Sequence, residues 1–498
     1  MCAWARGSAP TIALRALAPR GRIDAIADPG FIRKVDASFD APRPSPHLAR
    51  WRIAAQDDDG IVIARAAVHG APMMIGAQDE RFLGGSAGAN HGDALRRMFE
   101  RARIERPSAV VLLVASSGVR LHEANPAEWA LARALAALLD VRADGIPVLA
   151  LCVADTFGGA SVLACAAERV ALLPGTRFGL SGPAVIEVVR GRGEVDARDT
   201  GAIAALFGAE ARAAAGHVEI VADDLDAVRG WLAAALRESI PFEHWVRTMQ
   251  ERLSARLGAQ RLLIARATEG HDANHAATSL PPSESLVTLP RTRVSPPPEA
   301  LMPLYAIAEP VDPLGWLWRI PSRPTWMSRG FGAATLGPDE AHALDDALIA
   351  HLAASDTPEG SLLIHVGDSS GHEASRNAEL LCISQYLAQH AAVLALLRSR
   401  GVRIRGLLST LGHSAAFFAT ALQADEVYAL SGARVVAMDP AAIARVLRLP
   451  ERQIATLVES DPVVGQPVAN FARWGGITAI LPAADSDRLR SLTLRDER

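Results

Sequence analysis

The sequence predicts an α/β protein made of two related domains in tandem, and three observations predict it. The runs Ala109–Ala115 (AVVLLVA) and Ile146–Ala154 are apolar without alternation, as strands of a sheet covered on both faces must be. Strand signals and helical spacing alternate along the first half, which makes βαβ units and a parallel sheet. The order strand, loop, helix, strand, helix, strand over 109–173 returns over 362–430, an internal structural repeat.

The elements follow in order. Gly60–Val68 (GIVIARAAV) reads as a strand, and the turn at 69–72 followed by MMIGAQ makes a hairpin. Residues 91–105 have helical spacing with charges on one side. After strand 109–115 come a loop at 116–125, an Ala- and Leu-rich helix over 127–143, strand 146–154, a buried helix over 157–167 and strand 169–173. Residues 268–300 are rich in Pro, Ser and Thr, and the three prolines at 296–298 fit neither a helix interior nor a central strand. This segment divides a domain at 1–265 from one at 301–498, with the linker at 266–300, expected to be flexible and exposed. In the second half, strand 362–366, the loop GDSSGHEAS, a long helix over 377–398, strand 404–409, a helix entered through LGHSAAFFATALQA and strand 425–430 repeat the first. The stretch 300–337 is rich in Trp and Pro and matches no recognised segment.

Composition excludes several classes of function. Half of the 498 residues are hydrophobic, enough for sizeable cores. A net charge of −4, with no basic run and few aromatics, excludes a nucleic-acid binder. Lys34 is the only lysine, which excludes lysine-based covalent catalysis and a biotin carrier inside this chain. Cys2, Cys152, Cys165 and Cys382 form no C-x-x-C pair, so no disulfide framework, zinc ribbon or other metal site is expected. The first 22 residues lack the apolar core of a secretion signal, and the apolar stretch 146–167 is broken by Pro147, Asp155 and two glycines. The expectation is a soluble, cytoplasmic protein with no membrane partner.

Three segments set small residues where a strand meets a loop or helix: FLGGSAGANHGDAL (82–95), SSGVRLHEAN (116–125) and FGGASVLACAAERVAL (157–172). Glycine there lets backbone N–H groups approach a ligand closely, and two N–H groups aimed at one point can hold an oxyanion. Gly158 and Gly159 open a buried helix, whose N–H groups bind an oxyanion or whose small size serves close packing. Gly118 and Val119 follow a strand's carboxyl end and supply a second donor, or form an ordinary turn. Gly84, Gly85 and Ser86 position an acyl chain or pantetheine arm, or cap a helix; Ser117 lies beside them in this reading. Arg120 and Glu123 form an ion pair that orders the loop, and Gly182 with Pro183 makes a rigid turn that lines the pocket or is only a turn. His413, Ser414 and Ala415 open a helix in the second half. G-H-S-A-A is not the G-x-S-x-G of a serine hydrolase, so these residues bind a carboxylate, shape a carrier's entry, or cap the helix. Asp368, His372, Glu373 and Arg376 read as a solvated charged loop.

The first half carries, in order, DPGFIR (28–33), QDDDGIVIARA (56–66), GGSAGANHG (84–92), GVRLHEAN (118–125), FGGAS (157–161), RFGLSGPAVIE (177–187) and DARD (196–199). It resembles the beta subunit of biotin-independent malonate decarboxylase, in the carboxyltransferase branch of the crotonase-like superfamily. From about Pro338 the chain is similar to the gamma subunit of that enzyme, through GHSAAFFATALQADEVYAL (412–430), VVAMD (435–439) and VANFARWGGITAI (468–480). Ser117-Gly118 stands where the family has two glycines, and Ala415-Ala416 where it favours a glycine after the serine.

The resemblance implies two tandem crotonase-like (ClpP/crotonase) carboxyltransferase domains that face each other about a pseudo-twofold, with the site between them. It implies decarboxylation of a malonyl thioester through an enolate held by backbone donors at Gly118, Val119, Gly158 and Gly159. The substrate would arrive on an acyl carrier protein through a CoA-like prosthetic group, loaded by a separate acyltransferase (alpha) subunit. No covalently bound cofactor is implied, and the assembly would be a homo-oligomer within a complex. Two other readings stay open: a carboxyltransferase of a biotin-dependent acyl-CoA carboxylase, and a non-catalytic scaffold subunit.

Overall fold

The computed structural model describes residues 13–30, 33–34, 43–268, 297–353, 357–358, 360–483 and 485–494. Most of the expected linker, 269–296, lies outside the described residues, and so does the expectation about its exposure. The helix Phe242–Thr268 runs through the expected boundary at 265, and the chain resumes in a 3-10 turn at Glu299–Leu301.

The first half forms one seven-stranded sheet in sequence order: β1 (Arg33–Lys34), β2 (Ile61–Val68), β3 (Ala71–Gln78), β4 (Ala109–Ser116), β5 (Val148–Thr156), β6 (Arg169–Leu172) and β7 (Glu219–Ile220). The first three strands pair antiparallel and the rest parallel. The second half repeats this arrangement. Antiparallel β8 (Glu309–Pro310), β9 (Leu317–Ile320) and β10 (Thr325–Ser328) lead into parallel β11 (Leu362–Val366), β12 (Arg403–Leu408), β14 (Glu426–Leu430) and β16 (Ala479–Leu481). A separate parallel pair joins β13 (Leu411–His413) to β15 (Arg434–Val436).

The stretch 300–337 supplies the antiparallel edge that β1–β3 supply in the first half. LWRI and TWMS are four-residue strands set off by PSRP, too short for a period-2 pattern to register. Pairing holds them, with Thr325, Trp326 and Met327 in register with Leu362, Leu363 and Ile364. The helix expected over 377–398 is also corrected. It breaks into Arg376–Leu380 and Ile383–Ser399, with Cys382 in the left-handed region at φ 59°.

The apolar strands bury both faces by different means. In β4, Ala109, Val111, Leu113 and Ala115 face the helices Pro19–Ile26 and Leu225–Arg237, while Val110, Leu112 and Val114 face the opposite core. That opposite core is shared. It takes Leu131 and Leu163 from the first half and Leu387, Val393 and Phe418 from the second, so the sheets enclose one continuous helical interior. Every residue from Ile383 to Leu397 is buried. This helix packs on Ala124–Ala143 and Gly159–Cys165 of the first half and on Pro338–Leu352 of its own. A fully buried Leu or Val contributes about 1.5–3 kcal/mol, so the seam is as apolar and as tightly held as a domain interior.

Candidate active site

Strand β4 ends at Ser116, and the chain turns through Gly118 at φ 96°. Ala87 N–H donates to Gly118 O at 2.8 Å and Arg120 N–H to Ala87 O at 2.9 Å. This short parallel bridge turns the Val119 N–H to the opposite side. Strand β5 ends at Thr156, and Gly158 adopts φ 63°, ψ −148° before the helix Gly159–Cys165. Gly158 N–H donates to Leu180 O at 3.0 Å, and Ser161 N–H to Gly158 O at 2.9 Å. Among the described residues neither the Val119 nor the Gly159 N–H meets a protein acceptor.

The two turns touch through backbone alone. A methyl group on Gly118 would lie 3.1 Å from Gly158 Cα and 3.5 Å from Gly159 N; one on Gly158 would lie 3.0 Å from Gly118 Cα. Only glycine permits both the positive φ and this approach. A methyl group on Gly159 points elsewhere, 2.9 Å from Leu131 Cδ2 and 3.8 Å from Phe418 Cζ of the second half.

The remaining first-half candidates brace this arrangement. Gly84 is exposed, and a methyl group on Gly85 would lie 1.9 Å from Ala115 O, so the turn lies flat against the end of β4. Ser117 N–H donates to Gly84 O at 3.1 Å, Ser116 Oγ to Gly85 O at 2.6 Å, and Ser86 Oγ to Leu83 O at 2.9 Å. The Ser117 residue itself is exposed. Arg120 is fully buried; it pairs with Asp59, and with Glu123 at 2.8 Å, and donates to Ser86 O at 2.9 Å. Glu123 accepts from Ala89 N–H at 2.8 Å. The expected ion pair thus extends to a third member. Burial holds the Asp59 carboxyl up at about 6, against the pull of Arg120.

The second half reproduces the geometry with different residues. Leu336 N–H donates to Gly371 O at 2.8 Å and Glu373 N–H to Leu336 O at 2.9 Å, with Gly371 at φ 109°. His372 stands where Val119 stands. Ser414, at φ 53°, stands where Gly158 stands, followed by Ala415. His413 Nδ1 lies 2.9 Å from Ser370 O, and His372 Nε2 lies 2.9 Å from Ser181 Oγ, next to Gly182 of the first half. The solvated loop expected at 368–376 is corrected at Asp368. It is buried and accepts from Ser409 N–H at 3.0 Å, Thr410 N–H at 2.6 Å and Ser409 Oγ at 2.6 Å. Glu373 and Arg376 stay at the rim.

Residues not singled out from the sequence hold the seam. Glu379 accepts from Leu180 and Ser181 N–H at 3.0 and 2.7 Å and from Arg212 Nη2 at 2.9 Å, all in the first half. Burial raises its carboxyl to about 7. Asn125 Nδ2 donates to Gly465 O at 2.8 Å and Asn125 N–H to Val463 O at 3.0 Å, and Arg50 pairs with Asp461. Sequence distance hides such partners, which lie 167 residues or more apart. Among the described residues no cluster of His, Cys, Asp and Glu can hold a metal, and no helix is long and apolar enough to cross a membrane.

Both halves of the chain match known proteins. Residues 16–235 match the carboxyl transferase domain, and residues 332–495 match the malonate decarboxylase gamma subunit. The chain thus joins a carboxyl transferase domain to a malonate decarboxylase gamma subunit domain. It is 29% identical over 236 residues to the malonyl-S-ACP:biotin-protein carboxyltransferase MADC of Malonomonas rubra, covering 44% of this chain and 74% of that one. It is 32% identical over 176 residues to the acetyl-coenzyme A carboxylase carboxyl transferase subunits beta/alpha of a Parafrankia strain, and there spans only 28% of the relative's length. Among solved structures, a Pseudomonas malonate decarboxylase hetero-tetramer in complex with malonate is 35% identical, covering 47% of this chain and 86% of that chain, at a TM-score of 0.44. The carboxyl transferase domain match carries the crotonase-like carboxyltransferase fold and a function related to carboxyl transfer.

Proposed function

We propose that this chain decarboxylates a malonyl thioester carried on an acyl carrier protein. Loss of CO2 leaves an acetyl thioester enolate, and the site must hold the developing negative oxygen. The observation that carries the reading is the backbone contact of Gly118 with Gly158 beside the N–H groups of Val119 and Gly159, which meet no protein acceptor among the described residues. Donors of this kind each contribute about 2.7–4 kcal/mol to a transition state. The chemistry needs no covalent nucleophile, in keeping with a chain that has one lysine.

In this reading a CoA-like prosthetic group brings the thioester, an alpha subunit loads it, and the chain joins a larger complex. The domains are those at 1–265 and 301–498, with His413, Ser414 and Gly182 shaping the carrier's approach. A second reading, transfer of the carboxyl group to a biotin-bearing partner, draws support from the likeness to the Malonomonas rubra carboxyltransferase. Incubation of the purified chain with malonyl-loaded carrier decides. CO2 release without biotin supports decarboxylation, transfer that requires a biotinyl protein supports the second reading, and neither leaves a scaffold subunit.

A further inference from the structure

The helix Ala124–Ala143 carries one acid that no partner explains. Glu128 is 2% exposed, and among the described residues its Oε2 has no hydrogen-bond partner. The other buried carboxylates at the seam, Asp59, Asp368 and Glu379, are all hydrogen-bonded. A neutral isosteric residue would serve packing better there, because a buried polar atom without a partner is costly.

Its direction follows from its neighbours on the helix. Asn125, three residues earlier, contacts Gly465 of the second half; Ala132, four residues later, accepts from Gln423 Nε2 of the second half; Leu131, three residues later, reaches Gly159. Residues three and four apart share a face. Glu128 therefore lies between the stripe that faces the second half and the stripe that faces the Gly159 turn. Helical side chains lean toward the N-terminus, which carries this carboxyl back toward the Val119–Glu123 loop.

We propose that Glu128 is the proton donor to the enolate carbon. The assignment rests on the decarboxylase reading for its substrate. The bond to the carboxylate breaks and CO2 leaves. The electron pair stays on the thioester as an enolate at the Val119 and Gly159 donors. The Glu128 O–H bond then breaks as a C–H bond forms at that carbon. The glutamate left behind regains its proton from solvent once the product departs. Burial pushes the Glu128 carboxyl up to about 8, so it carries its proton at neutral pH. The charged and titratable groups on the packed elements, namely Asp59, His91, Arg120, Glu123, Asp140, Arg398 and Asp461, do not set this shift; desolvation does.

The test uses the full chain with malonyl-CoA and acetyl-CoA as probes, following CO2 release and exchange of acetyl α-hydrogens with D2O. Glu128→Gln keeps shape and deletes the acid. The expected result is a folded variant in which both rates fall by about 10²–10⁴-fold and from which the wild-type loss of CO2 release above about pH 8 has gone. A folded Glu128→Gln with wild-type exchange overturns the assignment. If that variant does not fold, the wild-type pH profile decides: CO2 release or exchange that stays flat between about pH 6 and 9.5 overturns it, and a change through about pH 8 supports it. Wild type that exchanges in a Glu128-dependent way but releases no CO2 defeats the decarboxylase reading and leaves the acid assigned. Wild type that exchanges at no pH overturns the assignment itself.

Discussion

Ser414 holds at φ 53° the left-handed position that Gly158 holds at φ 63° in the first half. The two residues open corresponding helices at the ends of corresponding strands, yet only one is free of the steric cost of that conformation. A non-glycine residue there loses about 1–2 kcal/mol.

Ser414→Gly should relieve that strain, against a loss of about 0.5–1 kcal/mol from the greater freedom of the unfolded chain. The expected outcome is a small gain, about 0.5 kcal/mol, in chemical unfolding. The reverse change, Gly158→Ser, should cost more than the strain alone, because its Cβ would lie 3.0 Å from Gly118 Cα. A Gly158→Ser chain of wild-type stability would contradict the close approach.

Gly159→Pro deletes the N–H, and proline is tolerated at the first position of a helix. Turnover of a malonyl thioester should fall by about 10²–10³-fold, and the proline Cβ, which meets Leu131 as alanine's does, should cost about 1–3 kcal/mol of stability as well. Gly159→Ala keeps the donor and places its methyl against Leu131. It should lose stability, about 1–3 kcal/mol, and recover it with Leu131→Ala. Equal activity loss in Pro and Ala variants would point to packing alone.

Glu128 also makes stability depend on pH. Its folded pKa, about 8, lies above the unfolded value, so the folded state binds the extra proton. Its contribution is present below about pH 4 and is lost as pH rises toward 8, at about 1.4 kcal/mol per unit. Glu128→Gln should leave stability near pH 4 little changed and raise it at pH 8–9. Unfolding curves that run parallel across this range would refute it.

Arg212→Met removes the cation from Glu379 while its carboxyl stays buried beside the Leu180 and Ser181 N–H groups. Breaking a buried pair in this way costs about 3–5 kcal/mol. The double variant with Glu379→Gln should recover much of it. A denaturant series on all three chains checks the coupling.

The strands at 109–116 and 148–156 are readable from sequence because both faces are buried and every residue before Ser116 and Asp155 is apolar. The glycines at 118 and 158 are readable because positive φ at a strand end demands them. Three kinds of feature are not. Strands β9 and β10 are too short and depend on pairing with β11. The helix break at Cys382, whose N–H donates to Glu379 O, follows a residue whose side-chain partners are about 170–200 residues away. Glu128 sits inside an ordinary helical pattern, and only the fold reveals that it is buried.

The helix Ile383–Ser399 has no solvent-facing side over its first fifteen residues, Ile383 to Leu397. A second half synthesised alone would have to leave the face that meets Ala124–Ala143 and Gly159–Cys165 open to water. On the ribosome the first half emerges earlier and presents that surface as a template. Covalent linkage then keeps the local concentration of the later half high, whatever the cellular abundance of either. A permuted gene that placed 301–498 ahead of 1–265 would reverse this order of emergence and expose the adhesive face to chaperones and to other nascent chains for longer.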